Sequence, residues 1–120
     1  MLAVGEHVLG RPAPRLVRMT TGLSGGLGGT KQEMCGTLSS GVLIIGALYG
    51  RSDLSGDGQQ AVELAARYRD RFVAEFGTTH CESLYAAVHS ASGLGTCSVL
   101  VERAARILLG VLSDGLRDQE

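Results

Sequence analysis

The chain has no tryptophan, two prolines, three cysteines, and aromatic residues at only 4% of its 120 positions. Neither sign of charge dominates, since 11 Lys plus Arg stand against 12 Asp plus Glu. Without a broad basic face to neutralise phosphates, nucleic acid is not an expected partner. Arg11, Arg15 and Arg18, spaced by four and three, share one helical face and read as solvated charge. A long hydrophobic run is also missing. Leu38 to Leu48 is the most apolar stretch, but Ser39, Ser40, Gly41 and Gly46 interrupt it. It falls short of the roughly 20 residues that span a bilayer, so it reads as a buried helix with no membrane role. The opening MLAVGEHVLG shows no basic leader, apolar core or cleavage site, and a cytoplasmic location is expected. There, three cysteines with one left over do not form a disulfide framework, leaving free thiols, a catalytic thiol pair or metal ligands.

The length suits one domain over residues 1–120. Strand alternation and internal repeats are scarce, and the pattern predicts an all-α fold, a small bundle of five or six helical segments with a glycine-rich loop. Residues 3–9 read as the tail of an amphipathic helix ending at Gly10, a first helix cut short. The breaker Arg11-Pro12-Ala13-Pro14 follows, with Pro14 placed to open a helix to about Thr20. The loop GLSGGLGG at 22–29 then carries five glycines in eight positions. Thr30-Lys31-Gln32-Glu33 fits a capping box, predicting a helix start there with Cys35, Leu38, Val42, Ile45 and Tyr49 inward and Gly50 as its stop. Asp57 is the expected cap of a helix ending at Gly77. Its inward face is Ala61, Ala65, Tyr68, Phe72 and Phe76, and Glu63, Arg67, Arg71 and Glu75 lie on the solvent side. Thr79-His80-Cys81-Glu82 fits a second capping box, opening a short helix with Cys81, Leu84, Tyr85 and Val88 on its inward side. After the connector SASGLG at 90–95, Thr96 can cap a last helix whose face reads Cys97, Leu100 or Val101, Ala104, Leu108 and Val111.

Cys35, Cys81 and Cys97 each fall in or near the first turn of an expected helix and on its apolar stripe. A thiol near a helix N-terminus feels unpaired N–H groups and the positive end of the macrodipole, which favours the thiolate that attacks disulfides and ligates metals. The bland alternative is that these are ordinary buried cysteines of the core. The glycine loop is not a P-loop, which needs Gly-Lys before Ser or Thr where this stretch ends Gly-Thr-Lys. Nor is it a dinucleotide fingerprint, because Lys31 stands where that motif needs glycine. Its glycines instead permit positive φ and close backbone approach. His80 beside Cys81 suits zinc or an iron–sulfur centre only if it lies in the cap turn, since adjacent helical residues point about 100° apart. Ser39 and Ser40 sit in no nucleophile motif.

Three stretches together, TGLSGGLGGTKQEMCGTLSSGVLIIGALYGR, RFVAEFGTTHCESL and TCSVLVERAARILLGVL, resemble the C_GCAxxG_C_C or cysteine cluster family of redox-active proteins. The resemblance runs from about Leu16 to Leu112. Cys35 and Gly36 match the central motif with Gly41 closing it, Cys81 matches the third cysteine and Cys97 the fourth, while Thr37 replaces the usual alanine. The family's first cysteine lies upstream, and no cysteine precedes Cys35 here. The resemblance implies a helical domain whose cysteines act in redox chemistry or hold a metal or iron–sulfur centre.

The expected function is therefore a redox or metal-thiolate protein built on Cys35, Cys81 and Cys97. In the metal version these three are ligands, with His80 or a second subunit as a fourth donor, and Gly25, Gly26, Gly28, Gly29 and Gly36 direct N–H groups at the sulfurs. In the thiol version Cys35 attacks and another cysteine resolves the mixed disulfide with a redox partner protein. The alternative is a non-catalytic helical interaction module, its cysteines in the core and its partner surface near Met19, Leu23 and Met34. A homo-oligomer, most simply a two-fold dimer, is expected to cover the apolar side of the Cys35 helix.

Overall fold

A computed structural model of the chain describes residues 2–11 and 13–118; Pro12, part of the expected breaker, and residues 119 and 120 of the polar tail lie outside them. Among the described residues there are six α-helices and no strand. They are α1 (Leu2–Leu9), α2 (Pro14–Thr20), α3 (Gly36–Tyr49), α4 (Gln59–Phe76), α5 (Cys81–Val88) and α6 (Cys97–Asp118). None is long and apolar enough to cross a membrane.

Local chemistry sets most of these boundaries as expected. Gly10 takes a φ of 77° after α1, and Gly77 takes 86° after α4 and returns its N–H to the Val73 carbonyl at 2.7 Å, the left-handed stop that glycine adopts without a Cβ clash. Pro14 opens α2, where its missing N–H leaves no bond unmade. Ahead of α4 the Asp57 carboxylate accepts from the N–H of Gln59 at 2.9 Å, although the capping position itself is Gly58 and not the expected Asp57.

Two boundaries differ. The helix expected at Thr30 begins only at Gly36. Lys31 adopts a φ of 60°, which no right-handed helix accommodates, and the Thr30 hydroxyl turns back to the Gly26 and Leu27 carbonyls at 2.9 Å each. The second capping box is not formed either. No side chain caps α5, and the Thr78 hydroxyl, not that of Thr79, accepts the His80 N–H at 3.2 Å.

Helices α3, α4 and α6 pack around the core, α5 lies against α6, and α1 rests on α3. Leu38, Ile44 and Ile45 of α3 meet Leu64, Tyr68 and Phe72 of α4 and Leu100, Ala104, Leu108, Val111 and Leu112 of α6. Leu84 and Val88 tie α5 to the same cluster. Burying a large apolar side chain such as Phe72 contributes about 1.5–3 kcal/mol, so this cluster is the main source of stability. The α4 stripe is rotated slightly from its expected line, with Leu64 fully buried and Ala65 only half-buried. Two charges of α4 pair across the bundle: Arg71 meets Asp114 at 2.5 Å and Glu75 meets Arg103 at 3.4 Å, both on α6.

Candidate thiol site

The glycine loop forms an unusual local structure. Gly25, Gly26, Leu27, Gly28 and Gly29 all have φ between 59° and 73°, a short left-handed coil that carries one non-glycine residue. Each L-residue in that conformation costs roughly 1–2 kcal/mol, which is why the run is almost entirely glycine. The coil is closed by its own backbone. The Gly28 N–H reaches the Gly22 carbonyl at 2.8 Å, Gly29 reaches Ser24 at 3.1 Å, and Lys31 reaches Gly25 at 2.7 Å. The N–H groups of Gly28 and Gly29 are thus engaged by carbonyls and do not point at sulfur.

Leaving the coil, residues 33–35 run antiparallel to residues 79–81 for a single bridge, with Met34 opposite His80. Both bonds of the bridge are donated by cysteines: the Cys35 N–H to Thr79 at 2.8 Å and the Cys81 N–H to Glu33 at 2.9 Å. Cys35 and Cys81 thus flank the Met34–His80 bridge at its two ends. Cys35 caps α3 and Cys81 is the first residue of α5, so one bridge sets two helix starts side by side.

Glycine is required at two points around this bridge. A Cβ on Gly26 would stand 2.7 Å from the Cys81 Cβ and 2.9 Å from the Lys31 Cα, so the left-handed coil is packed directly on Cys81. A Cβ on Gly36 would stand 2.6 Å from the Leu23 carbonyl, where the chain entering the coil crosses the start of α3.

All three cysteines are free thiols; Cys35 and Cys81 are half-buried and Cys97 is exposed. Cys35 packs against the core cluster. Cys97, expected on the apolar stripe of α6, instead projects from its first turn, because the buried stripe starts one turn later at Leu100. Cys35 and Cys97 nonetheless both lie within electrostatic reach of Cys81. Burial, then the negative charge of Cys35 and of Cys97, push the Cys81 thiol above the ordinary cysteine value, with Lys31 pulling the other way and Glu82 adding to the rise. The expectation that a helix start favours the thiolate therefore fails at Cys81, where burial and the neighbouring negative charges favour the thiol.

The His80 ring is engaged by the backbone leaving the coil. Its ring Nε2 lies 3.0 Å from the Gln32 carbonyl, which only accepts, so that nitrogen carries the hydrogen. With Met34 it lines a hollow together with Leu23, Leu27, Glu33 and Thr79. Among the described residues no three His, Cys, Asp or Glu side chains are grouped to hold a metal ion. With the His80 Nε2 engaged by a carbonyl and no such group formed, the residues as placed do not fit a metal or cluster, whose closed thiolate site takes four ligands.

Two residues escaped sequence reasoning. Lys31, the chain's single lysine among ten arginines, places its Nζ 3.7 Å from the centroid of the Tyr85 ring. Tyr85 was expected inward but is 42% exposed. On α5 it lies one turn beyond Cys81, on the same face. The isolated lysine was the one available signal. Elsewhere, Leu2, Leu9, Leu16, Met19 and Leu43 border an apolar groove of about 430 Å3 between α1, α2 and α3.

A family model described as "Putative redox-active protein (C_GCAxxG_C_C)" matches residues 1–111. No curated protein and no solved structure matches the chain.

Proposed function

Because the chain belongs to the C_GCAxxG_C_C family, whose description is redox activity, we propose that it exchanges thiols with a disulfide partner through Cys97 and Cys81, with Cys35 behind them. The observation that carries this reading is the cysteine-donated bridge, which sets two cysteines at neighbouring helix starts within electrostatic reach of a third, exposed one.

Exposure assigns the opening step to Cys97 in place of Cys35. The Cys97 thiolate attacks one sulfur of a partner disulfide and displaces the other as a thiolate, which takes up a proton. Once Cys97 is in a mixed disulfide its charge is gone, and one of the groups holding the Cys81 proton in place is removed. Cys81 then loses its proton and attacks the Cys97 sulfur, expelling the second partner thiol. Two electrons pass to the partner, whose disulfide becomes two thiols, and the chain ends with a Cys81–Cys97 disulfide. Closure brings sulfurs to about 2 Å, and the glycine- and serine-rich connector ahead of Cys97 allows that approach. No step passes through a metal.

The test is reduction of a dithiobis(nitrobenzoate) or protein disulfide by the reduced chain. Cys97→Ser is expected to remove fast exchange. Cys81→Ser is expected to leave a trapped mixed disulfide at Cys97, seen by intact-mass spectrometry. Wild-type thiols that react only after unfolding would end the redox reading. The apolar groove beside α2 favours the second reading, an interaction module that pairs as a two-fold dimer of this chain. Sedimentation of the same samples reads it, and a 12.5 kDa monomer at micromolar concentration would reject it.

A further inference from the structure

Lys31 occupies a position that its backbone disfavours and that the surrounding bonds nevertheless fix. Its φ is 60°, one of two positive values among non-glycine residues described. Its N–H is tied to Gly25 at 2.7 Å and its carbonyl accepts the Glu82 N–H at 3.1 Å, the second amide of α5. Its Cα faces the same point on Gly26 that the Cys81 Cβ faces from the other side. The residue is thus clamped between the left-handed coil and the start of α5. Its ammonium does not run out to solvent but rests over Tyr85, whose own ring lies 4.2 Å from that of His89. A cation held on an aromatic face gives up little of its field to water and loses little further freedom when it acts.

Resting on the exchange reading above, we propose that Lys31 is the positioning residue of the thiol site, parked on Tyr85 so that its positive charge supports the Cys81 thiolate in the resolving step. The charges that surround Cys81 are the Cys35 and Cys97 sulfurs at the starts of α3 and α6, Glu82 on its own helix, and Lys31. Lys31 alone among these is positive. Attack by Cys81 requires a negative sulfur on the same helix start as Glu82, and the lysine offsets that repulsion without moving from the coil. The left-handed backbone follows from the same role: the turn that seats the glycine coil on Cys81 also aims the residue after Thr30 across α5.

The experiment measures the pH dependence of Cys81 alkylation by iodoacetamide, a neutral probe, in a full-length chain carrying Cys35→Ser and Cys97→Ser. Lys31→Gln is expected to move the midpoint upward by roughly half a pH unit, with about a threefold lower rate near pH 8. Lys31→Arg is expected to restore most of it. Lys31→Gly separates charge from packing, because it removes the charge and the backbone strain together. Its melting temperature should hold or rise while the alkylation profile still shifts. A profile that superposes on the parent in the Gln and Gly variants overturns the proposal, as does a shift in Lys31→Arg equal to that in Lys31→Gln. Absence of any disulfide reduction by the wild type would defeat the exchange reading itself. Intact reduction with unchanged Lys31 profiles would defeat only the role of the lysine.

Discussion

Cys81 shows how two effects of comparable kind are decided by magnitude. A helix N-terminus contributes about 0.3–1 kcal/mol toward an anion, less than one pKa unit, whereas burial and two neighbouring sulfurs act together in the opposite direction. The folded value therefore lies above the unfolded one. The native state holds this proton more tightly than the unfolded chain does, so its contribution to stability is complete below the ordinary cysteine range. It is lost as pH rises from about 8.5 through the raised folded value. Wild-type stability in urea is expected to fall more steeply between about pH 8 and 10 than that of Cys81→Ser. Tyr68, whose buried hydroxyl is also pushed up and donates to the Thr37 carbonyl at 3.1 Å, contributes a similar slope at higher pH to both proteins and drops out of the comparison. Parallel slopes for the two would show that Cys81 titrates like a free thiol. Nothing in the spacing of the cysteines foretold the direction of this shift. It arises from burial and then from the charges of Cys35 and Cys97, which the fold brings to Cys81 from far along the sequence.

At the scale of elements, the helices were legible and their junctions were not. The stripe Leu100, Ala104, Leu108, Val111 of α6 and the aromatic ladder Tyr68, Phe72, Phe76 of α4 repeat every three or four residues, and helical period alone places them. By contrast the Thr30–Glu33 capping box was correct in letters and wrong in structure, because the coil before it delivers the chain with Lys31 left-handed. Local rules fail where a tertiary contact sets the backbone. The motif glycines explain themselves only in the fold. A Cβ on Gly41 would stand 2.4 Å from the Tyr68 Cε2 and 2.9 Å from its hydroxyl, so α3 and α4 approach closely there over a fully buried ring. Gly41→Ala raises helix propensity by about 1 kcal/mol, yet it is expected to destabilise by about 1–3 kcal/mol through overpacking. Gly46→Ala in the same helix meets no atom within 4 Å and is expected to stabilise. Chemical denaturation of the pair reads the two signs, and equal effects would remove the packing account of the motif.

For the whole molecule, α6 is anchored in its middle and at its end while its first turn stays free. Leu100 through Leu112 are in the core, Arg71 of α4 grips Asp114, and Arg117 joins the same carboxylate, holding it below the usual range chiefly through the Arg71 hydrogen bond. Cys97 and Ser98, ahead of that anchorage, are exposed. A Cys81–Cys97 bond must draw this free turn toward a bridge fixed by two backbone bonds, and the connector between the helices has to yield. Cross-linking the two positions would constrain the unfolded chain by about 3 kcal/mol were the native geometry undisturbed. Distortion at the start of α6 subtracts from that gain, and a disulfide that stabilises its protein little is readily reduced, as an electron carrier requires. The oxidised chain is therefore expected to exceed the reduced one in unfolding free energy by well under 3 kcal/mol, and its potential to fall in the range of exchangeable disulfides. Guanidinium melts of both forms, with the bond located by peptide mapping, measure the difference. A gain of 3 kcal/mol or more would mark the bond as a structural staple formed without strain, and the cysteines would then serve the fold and not electron transfer.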